Sequence, residues 1–159
     1  MKRYLEYKGL KVLAHRGGVD ESYENTLESF NYSQSLGCEF IETDVQVSSD
    51  GIPYIFHDDD LKRILNKSIR FDSLSSNEID ELNIFNTHKI PKLSEALLTF
   101  PNLCFQIDFK TDEVVMPALD VIKSMNAFDR VCIASFNSKR LQNVRSLYPD
   151  LCISMGPNE

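Results

Sequence analysis

The chain has 159 residues, 42% of them apolar and 26% charged. That length suits one domain, and the mix excludes disordered, collagen-like, coiled-coil and disulfide-framework classes. Twenty-four acidic against 17 basic residues give a net charge of −7 without a basic stripe, so nucleic acid is not expected as a partner, and no apolar run is long enough for a membrane span.

The opening segment, MKRYLEYKGLKVLAH, has neither a long apolar stretch nor a small-residue cleavage site. A secretory leader is not expected, and cytoplasmic is the default location. The four cysteines, Cys38, Cys104, Cys132 and Cys152, are far apart and form no CxxC. They read as small buried hydrophobes in a reducing compartment.

In chain order, strands are expected at 11–15, 40–47, 53–57, 103–109, 131–136 and 151–155, all short continuous apolar runs. A helix is expected over Thr26–Leu36, stopped by Gly37. Ser75 and Glu78 have capping-box spacing ahead of a second. Val114 to Met125 supplies a broad apolar helical face, and Ser138 is a candidate cap for a last helix carrying Leu141, Val144 and Leu147. Buried strands alternating with helices predict a parallel α/β sheet. One connection breaks the rhythm. Only about seven residues, Val45–Gly51, lead from the second strand to the third, too few for a crossover helix. Asp50-Gly51 suggests a hairpin. An extended return, at about 3.3 Å per residue, would instead keep the third strand parallel. Both readings stay open at this stage.

Charges fall where a core should not hold them. His15 and Arg16 end the first strand and run into Gly17-Gly18. Glu42 and Asp44 lie inside the second strand, two apart and hence on one side. His57 and Asp58 end the third; Asp108 and Lys110 end the fourth. Ligand sites of parallel α/β folds gather at carboxyl ends of strands. Parallel acids on one strand repel unless a cation lies between them, so Glu42, Asp44 and Asp108 are candidate ligands of a hard divalent metal. Two histidines near carboxylates suit proton exchange near neutral pH. Arg16, beside two glycines, suits bidentate phosphate contact, with Lys110 as a second cation. His88, in the segment NTHKIP, is read as structural.

AHRGG (14–18), ENTLESF (24–30), FIETDVQ (40–46), DGIPYIFHDDDLKR (50–63), IPKLSEAL (90–97), QIDFK (106–110) and ASF (134–136) occur in that order. Together they resemble the glycerophosphodiester phosphodiesterase family over most of the chain. The resemblance implies a TIM-type (β/α)8 barrel of the PLC-like phosphodiesterase kind, here truncated after about six strands. It implies a single domain over 1–159 that lacks its C-terminal βα units, with 66–90 as an insertion after the third strand. It casts His15 and His57 as the catalytic acid/base pair and Glu42, Asp44 and Asp108 as ligands of Mg²⁺ or Ca²⁺. Arg16 and Lys110 would hold the phosphate, with Glu24 and Asn25 nearby. The implied reaction is hydrolysis of a small-molecule glycerophosphodiester to sn-glycerol 3-phosphate and an alcohol. The alternatives are a lysophospholipase D-type activity on the same site and a non-catalytic remnant of the barrel.

Three departures stand out. Tyr23 replaces the family's usual Pro before ENT, and Asp108 stands where Glu is usual. A (β/α)8 barrel takes about 250 residues, whereas this sequence has 159 and about six strands, so the last two βα units are expected to be missing. The first and sixth strands are therefore expected to carry open edges, through which self-association could occur.

Overall fold

The computed structural model describes residues 3–6, 9–18 and 23–154. Six strands form one sheet: β1 (Leu13–His15), β2 (Phe40–Val47), β3 (Pro53–Ile55), β4 (Cys104–Phe109), β5 (Val131–Ala134) and β6 (Cys152–Ile153). The helices are α1 (Arg3–Glu6), α2 (Leu27–Ser35), α3 (Lys62–Leu65), α4 (Ser76–Glu81), α5 (Leu93–Thr99), α6 (Val115–Ser124) and α7 (Ser138–Leu147). A 3-10 turn covers Phe71–Ser73.

Five strands run parallel in the order β1-β2-β4-β5-β6, which is the winding of a (β/α) barrel. The expected sixth member of that series behaves differently. β3 pairs antiparallel with the carboxyl half of β2, Val45 opposite Ile55 and Val47 opposite Pro53. The hairpin reading is therefore the correct one. Ser48 O accepts from Gly51 N, and Gly51 takes φ 84°, a left-handed value that glycine adopts without strain. Because β4 occupies one edge of β2 from Phe40 to Val45, β1 and β3 share the other edge. β1 takes its amino half and β3 its carboxyl half. β3 thus travels back toward the end of β1, and Phe56 N donates to Asp44 O.

Strand alternation separates two faces. Outward-facing Ile41, Val45, Phe105, Ile107, Phe109, Val131 and Ile133 pack with Phe30, Leu93, Leu97, Ala118, Leu119, Ile122, Leu141 and Val144 from the helices. The inward face is apolar at the amino end, where Tyr4, Phe40, Cys104 and Cys132 cluster with Leu13 and Cys152. It is ionic at the carboxyl end, where Asp44 lies opposite Asp108. Tyr4, from α1, closes the amino end and donates from its hydroxyl to Gln106 Oε1 at 3.2 Å. All four cysteines are free thiols, with Cys104 and Cys132 fully buried.

Caps explain the helix starts. Thr26 accepts from Ser29 N, and Ser29 Oγ closes a reciprocal box. Ser75 and Glu78 form the expected box ahead of α4. The cap of α7 is Asn137 rather than Ser138: its side-chain oxygen accepts from Lys139 N and Arg140 N. Both side chains suit a cap; the one outside the first helical turn makes it. β1 starts at Leu13 rather than residue 11, and β6 spans Cys152–Ile153. Met155, at the end of the expected sixth strand, lies outside the described residues.

Between β3 and α5, residues 58–92 build a satellite core. Tyr54, Phe56, Leu61, Phe71, Ile79, Ile84 and Ile90 pack there, apart from the barrel core. The region is tied back by Ser76, which donates from backbone and side chain to Asp50 at 2.7 and 2.6 Å. Among the described residues, no helix is long and apolar enough to cross a membrane.

Candidate active site

The site lies at the carboxyl end of β1, β2 and β4 and is built around Asp44. This carboxylate is 2% exposed. Its Oδ1 lies 2.7 Å from Lys110 Nζ, and its Oδ2 accepts from Asn25 Nδ2 at 2.9 Å. Arg16 Nε lies 3.2 Å from the same Oδ2, an ionic contact without hydrogen-bond alignment. Lys110 reaches across to Asp108 Oδ2 at 2.6 Å. Burial alone would lower the Lys110 pKa; the two carboxylates more than offset this, and it ends above the ordinary lysine value.

Arg16 owes its position to an unusual turn. Arg16, Gly17 and Gly18 all have positive φ, at 51°, 79° and 99°. A Cβ on Gly17 would strike the Ser29 hydroxyl and the Phe30 ring, so only glycine allows α2 to pack this closely. The turn directs Arg16 N to Glu42 Oε2 at 3.2 Å and Arg16 Nη1 to both oxygens of Glu24 at 3.2 and 3.3 Å. Asn25, itself at φ 56°, is held by Arg16 O and Thr43 Oγ1. Asn and Asp tolerate this conformation better than other side chains.

Glu42 is the electrostatic outlier. Burial, then the charge of Asp44, pushes its carboxyl up to about 7, despite the hydrogen bond from Arg16 N. Asp108 Oδ1 is buried without a hydrogen-bond partner. His15 Nε2 lies 3.9 Å from Glu42 Oε2, and its side chain is 60% exposed. His57 follows β3 and is less exposed; its Nδ1 is 2.6 Å from Asp58 Oδ1.

The structure brings together every residue expected at the site. His15, Arg16, Glu24, Asn25, Glu42, Asp44, Asp108 and Lys110 form one contact network, and His57 joins it through Asp58, Arg63 and Glu24. Among the described residues, no three His, Cys, Asp or Glu side chains converge tightly enough to enclose a cation as they stand. Lys110 Nζ fills the gap between Asp44 and Asp108. The donor set still suits a hard divalent cation: three carboxylates, one with an unpartnered buried oxygen and one driven toward protonation by burial and then by the charge of Asp44.

Sequence reasoning missed the roles of Asp58 and Arg63. Arg63 donates from Nε to Asp58 Oδ2 at 2.7 Å and forks onto Glu24 at 3.1 and 2.5 Å. The only signal was the opposite charges of Asp58 and Arg63 in HDDDLKR, five residues apart and with Asp58 outside the helix, a spacing that no helical periodicity marks. Phe136, 78% exposed, stands at the rim with Lys110 Nζ 5.9 Å from its ring centre. His88 packs on Tyr23, which stacks on Phe85.

The sequence profile of the glycerophosphoryl diester phosphodiesterase family matches residues 15–155. A glycerophosphodiester phosphodiesterase of Caldanaerobacter subterraneus is 31% identical over 158 aligned residues, covering 91% of this chain and 65% of that protein. Human glycerophosphodiester phosphodiesterase 1 is 30% identical, covering 73% of this chain and 38% of that protein. Among solved structures, an Oleispira antarctica phosphodiesterase in complex with its product sn-glycerol-3-phosphate superposes with a TM-score of 0.84. It is 28% identical, over 91% of this chain and 64% of that one. The chain spans roughly half to two thirds of the length of the first curated relatives it matches. Taken with the five parallel strands and the ionic cluster at their carboxyl ends, these matches mean that the chain belongs to the glycerophosphoryl diester phosphodiesterase family.

Proposed function

We propose that this chain carries the active site of a metal-dependent hydrolase that cleaves glycerophosphodiesters to sn-glycerol 3-phosphate and an alcohol. The observation that carries the reading is the pairing of Arg16 and Lys110 with Asp44 and of Lys110 with Asp108, beside Glu42, at the strand ends that also deliver His15 and His57. The Oleispira relative, solved with sn-glycerol-3-phosphate, supports the product class.

The residues divide the work. Arg16 and Lys110 offer donors to the anionic phosphate, as guanidinium and ammonium groups do. Glu42, Asp44 and Asp108 would hold Mg²⁺ or Ca²⁺, with Lys110, now on Asp44 and Asp108, free to turn its ammonium to the phosphate. The metal, when bound, supplies charge neutralisation at a phosphoryl oxygen and an anchor for glycerol hydroxyls. A new P–O bond forms from water or the adjacent glycerol hydroxyl as the bond to the head-group oxygen breaks. One histidine takes the nucleophile's proton and the other returns one to the leaving alkoxide. His57 exchanges its proton at Nε2, because Asp58 occupies its Nδ1. Where the glycerol hydroxyl attacks, the cyclic phosphate opens in a second step that consumes the water.

The test is release of sn-glycerol 3-phosphate from glycerophosphocholine and glycerophosphoethanolamine with Mg²⁺, with Ca²⁺ and with chelator. Metal-dependent release that disappears in His15→Ala and His57→Ala is expected. No release from a cooperatively folded sample refutes the activity for this chain. A human lysophospholipase D is 28% identical over part of the chain, so lysophosphatidylcholine belongs in the same assay. Preference for it over the soluble diesters would favour the lysophospholipase D reading.

A further inference from the structure

We propose that Arg63 is a positioning residue that ties the His57 side of the site to the Arg16 side and, through Asp58, holds His57 in the tautomer with a bare Nε2. The assignment rests on the reading of His57 as a proton-exchanging residue. Its basis is geometric. Three guanidinium nitrogens of Arg63 are committed to two carboxylates: Nε to Asp58, Nη1 and Nη2 to Glu24. Asp58 spends its other oxygen on His57 Nδ1, and Glu24 also takes Arg16 Nη1. A continuous chain, His57–Asp58–Arg63–Glu24–Arg16–Asp44, therefore crosses the site, and Arg63 joins its two halves. Those halves belong to the segment after β3 and the loop before α2, which are separated in sequence.

Stability is not the reason for such an arrangement. Arg63 is 47% exposed, and ion pairs of such exposed side chains contribute little to stability. Orientation is the better account, since both partner carboxylates are mostly buried, at 11% and 17% exposed. A carboxylate can only accept, so an Asp58 held by Arg63 requires the proton on His57 Nδ1. A free imidazole in water favours the opposite tautomer, with the proton on Nε2. Arginine rather than lysine is needed, because only a planar fork grips Glu24 with two nitrogens while a third reaches Asp58.

The experiment is ring ¹⁵N NMR of His57 in the 159-residue chain at about pH 9, where imidazoles are neutral. Wild type is expected to show Nδ1 protonated and Nε2 bare. Arg63→Ala should move the population toward Nε2–H, as should Asp58→Asn, and Arg63→Lys should restore it only in part. His15 should be unmoved. Should Arg63→Ala fail to fold, Arg63→Gln carries the same measurement. A wild-type His57 protonated on Nε2, or an Nδ1–H tautomer that persists in the folded Arg63 variants, overturns the assignment. The signal needs no turnover. A chain that releases no glycerol 3-phosphate yet shows the Arg63-dependent tautomer defeats the proposed activity and leaves this assignment intact. In an active chain, Arg63→Ala is expected to lower kcat at least tenfold with a smaller change in KM.

Discussion

Replacing Lys110 with methionine keeps the length of the side chain and removes its charge. Lys110 Nζ lies 2.7 Å from Asp44 Oδ1 and 2.6 Å from Asp108 Oδ2, and both acids are almost fully buried. Taking away one member of such a buried group strands the others, at a cost of about 3–5 kcal/mol. For a chain of this size that is a fall in Tm on the order of 10 °C. The loss depends on pH. In wild type the Lys110 pKa is raised, so its contribution is complete below the ordinary lysine value and lost only as pH rises through the folded one, beyond about 10.4. The chain has no Trp, so urea and thermal melts by far-ultraviolet circular dichroism are the assay. A deficit below about 1 kcal/mol at pH 7 refutes the claim that the ammonium neutralises this pair.

Gly17→Ala should destabilise by about 2–4 kcal/mol, from its left-handed φ and the collision with Ser29 and Phe30, and a melt that matches wild type would contradict the turn. Mg²⁺ or Ca²⁺ at roughly 100 times its Kd should add about 2.7 kcal/mol of stability, with the gain lost in Asp108→Asn; equal gains in both proteins would place the ion elsewhere. Partial burial works to raise the Asp58 carboxyl, but Arg63 and His57 outweigh it and the net shift is downward. Its contribution is therefore present above the ordinary carboxylate pKa and lost as pH falls through the lowered folded value, so Asp58→Asn should flatten the acid limb of the stability curve. Phe30→Ala, a fully buried ring edge-on to Phe100 at the end of α5 and to Phe105 of β4, should cost about 3–5 kcal/mol in urea melts; a loss below about 1 kcal/mol would contradict this packing.

Much of this architecture is legible in the sequence because the barrel's rules are local. FIETDVQV alternates in a way that puts Glu42 and Asp44 on one side, and QIDFK does the same for Asp108 and Lys110. The Thr26–Gly37 helix is bounded by a cap and a stop that need no tertiary information. What stayed hidden depends on neighbours distant in the chain. The direction of β3 turned on whether Gly51 would close a three-residue loop or an extended passage, and both fit the spacing. Asp58–Arg63–Glu24 joins residues 39 positions apart, which no periodicity reports. The stacking of Cys104, Cys132 and Cys152 on the inward face under Tyr4 needed the register of three strands. The displacement of Lys110 into the space between two acids is a choice of side-chain direction, made by charge rather than by pattern.

The antiparallel return of β3 places an unequal constraint on inherited length changes. A crossover between parallel strands can gain or lose residues, because the sheet sets the register of its ends independently. The Ser48–Ile52 loop has no such slack: Ser48 and Ile52 pair across it, and β3 is registered residue by residue against Val45–Val47. One added residue would slip that register and turn every β3 side chain to the opposite face, carrying His57 away from His15. Lineages carrying this chain should therefore accept substitutions at Ser49, whose side chain is exposed, far more readily than insertions there, with Asp50 kept for its two bonds from Ser76, whereas the loop between α6 and β5 should vary in both sequence and length. In this barrel the most length-intolerant loop is one that contributes no side chain to the site.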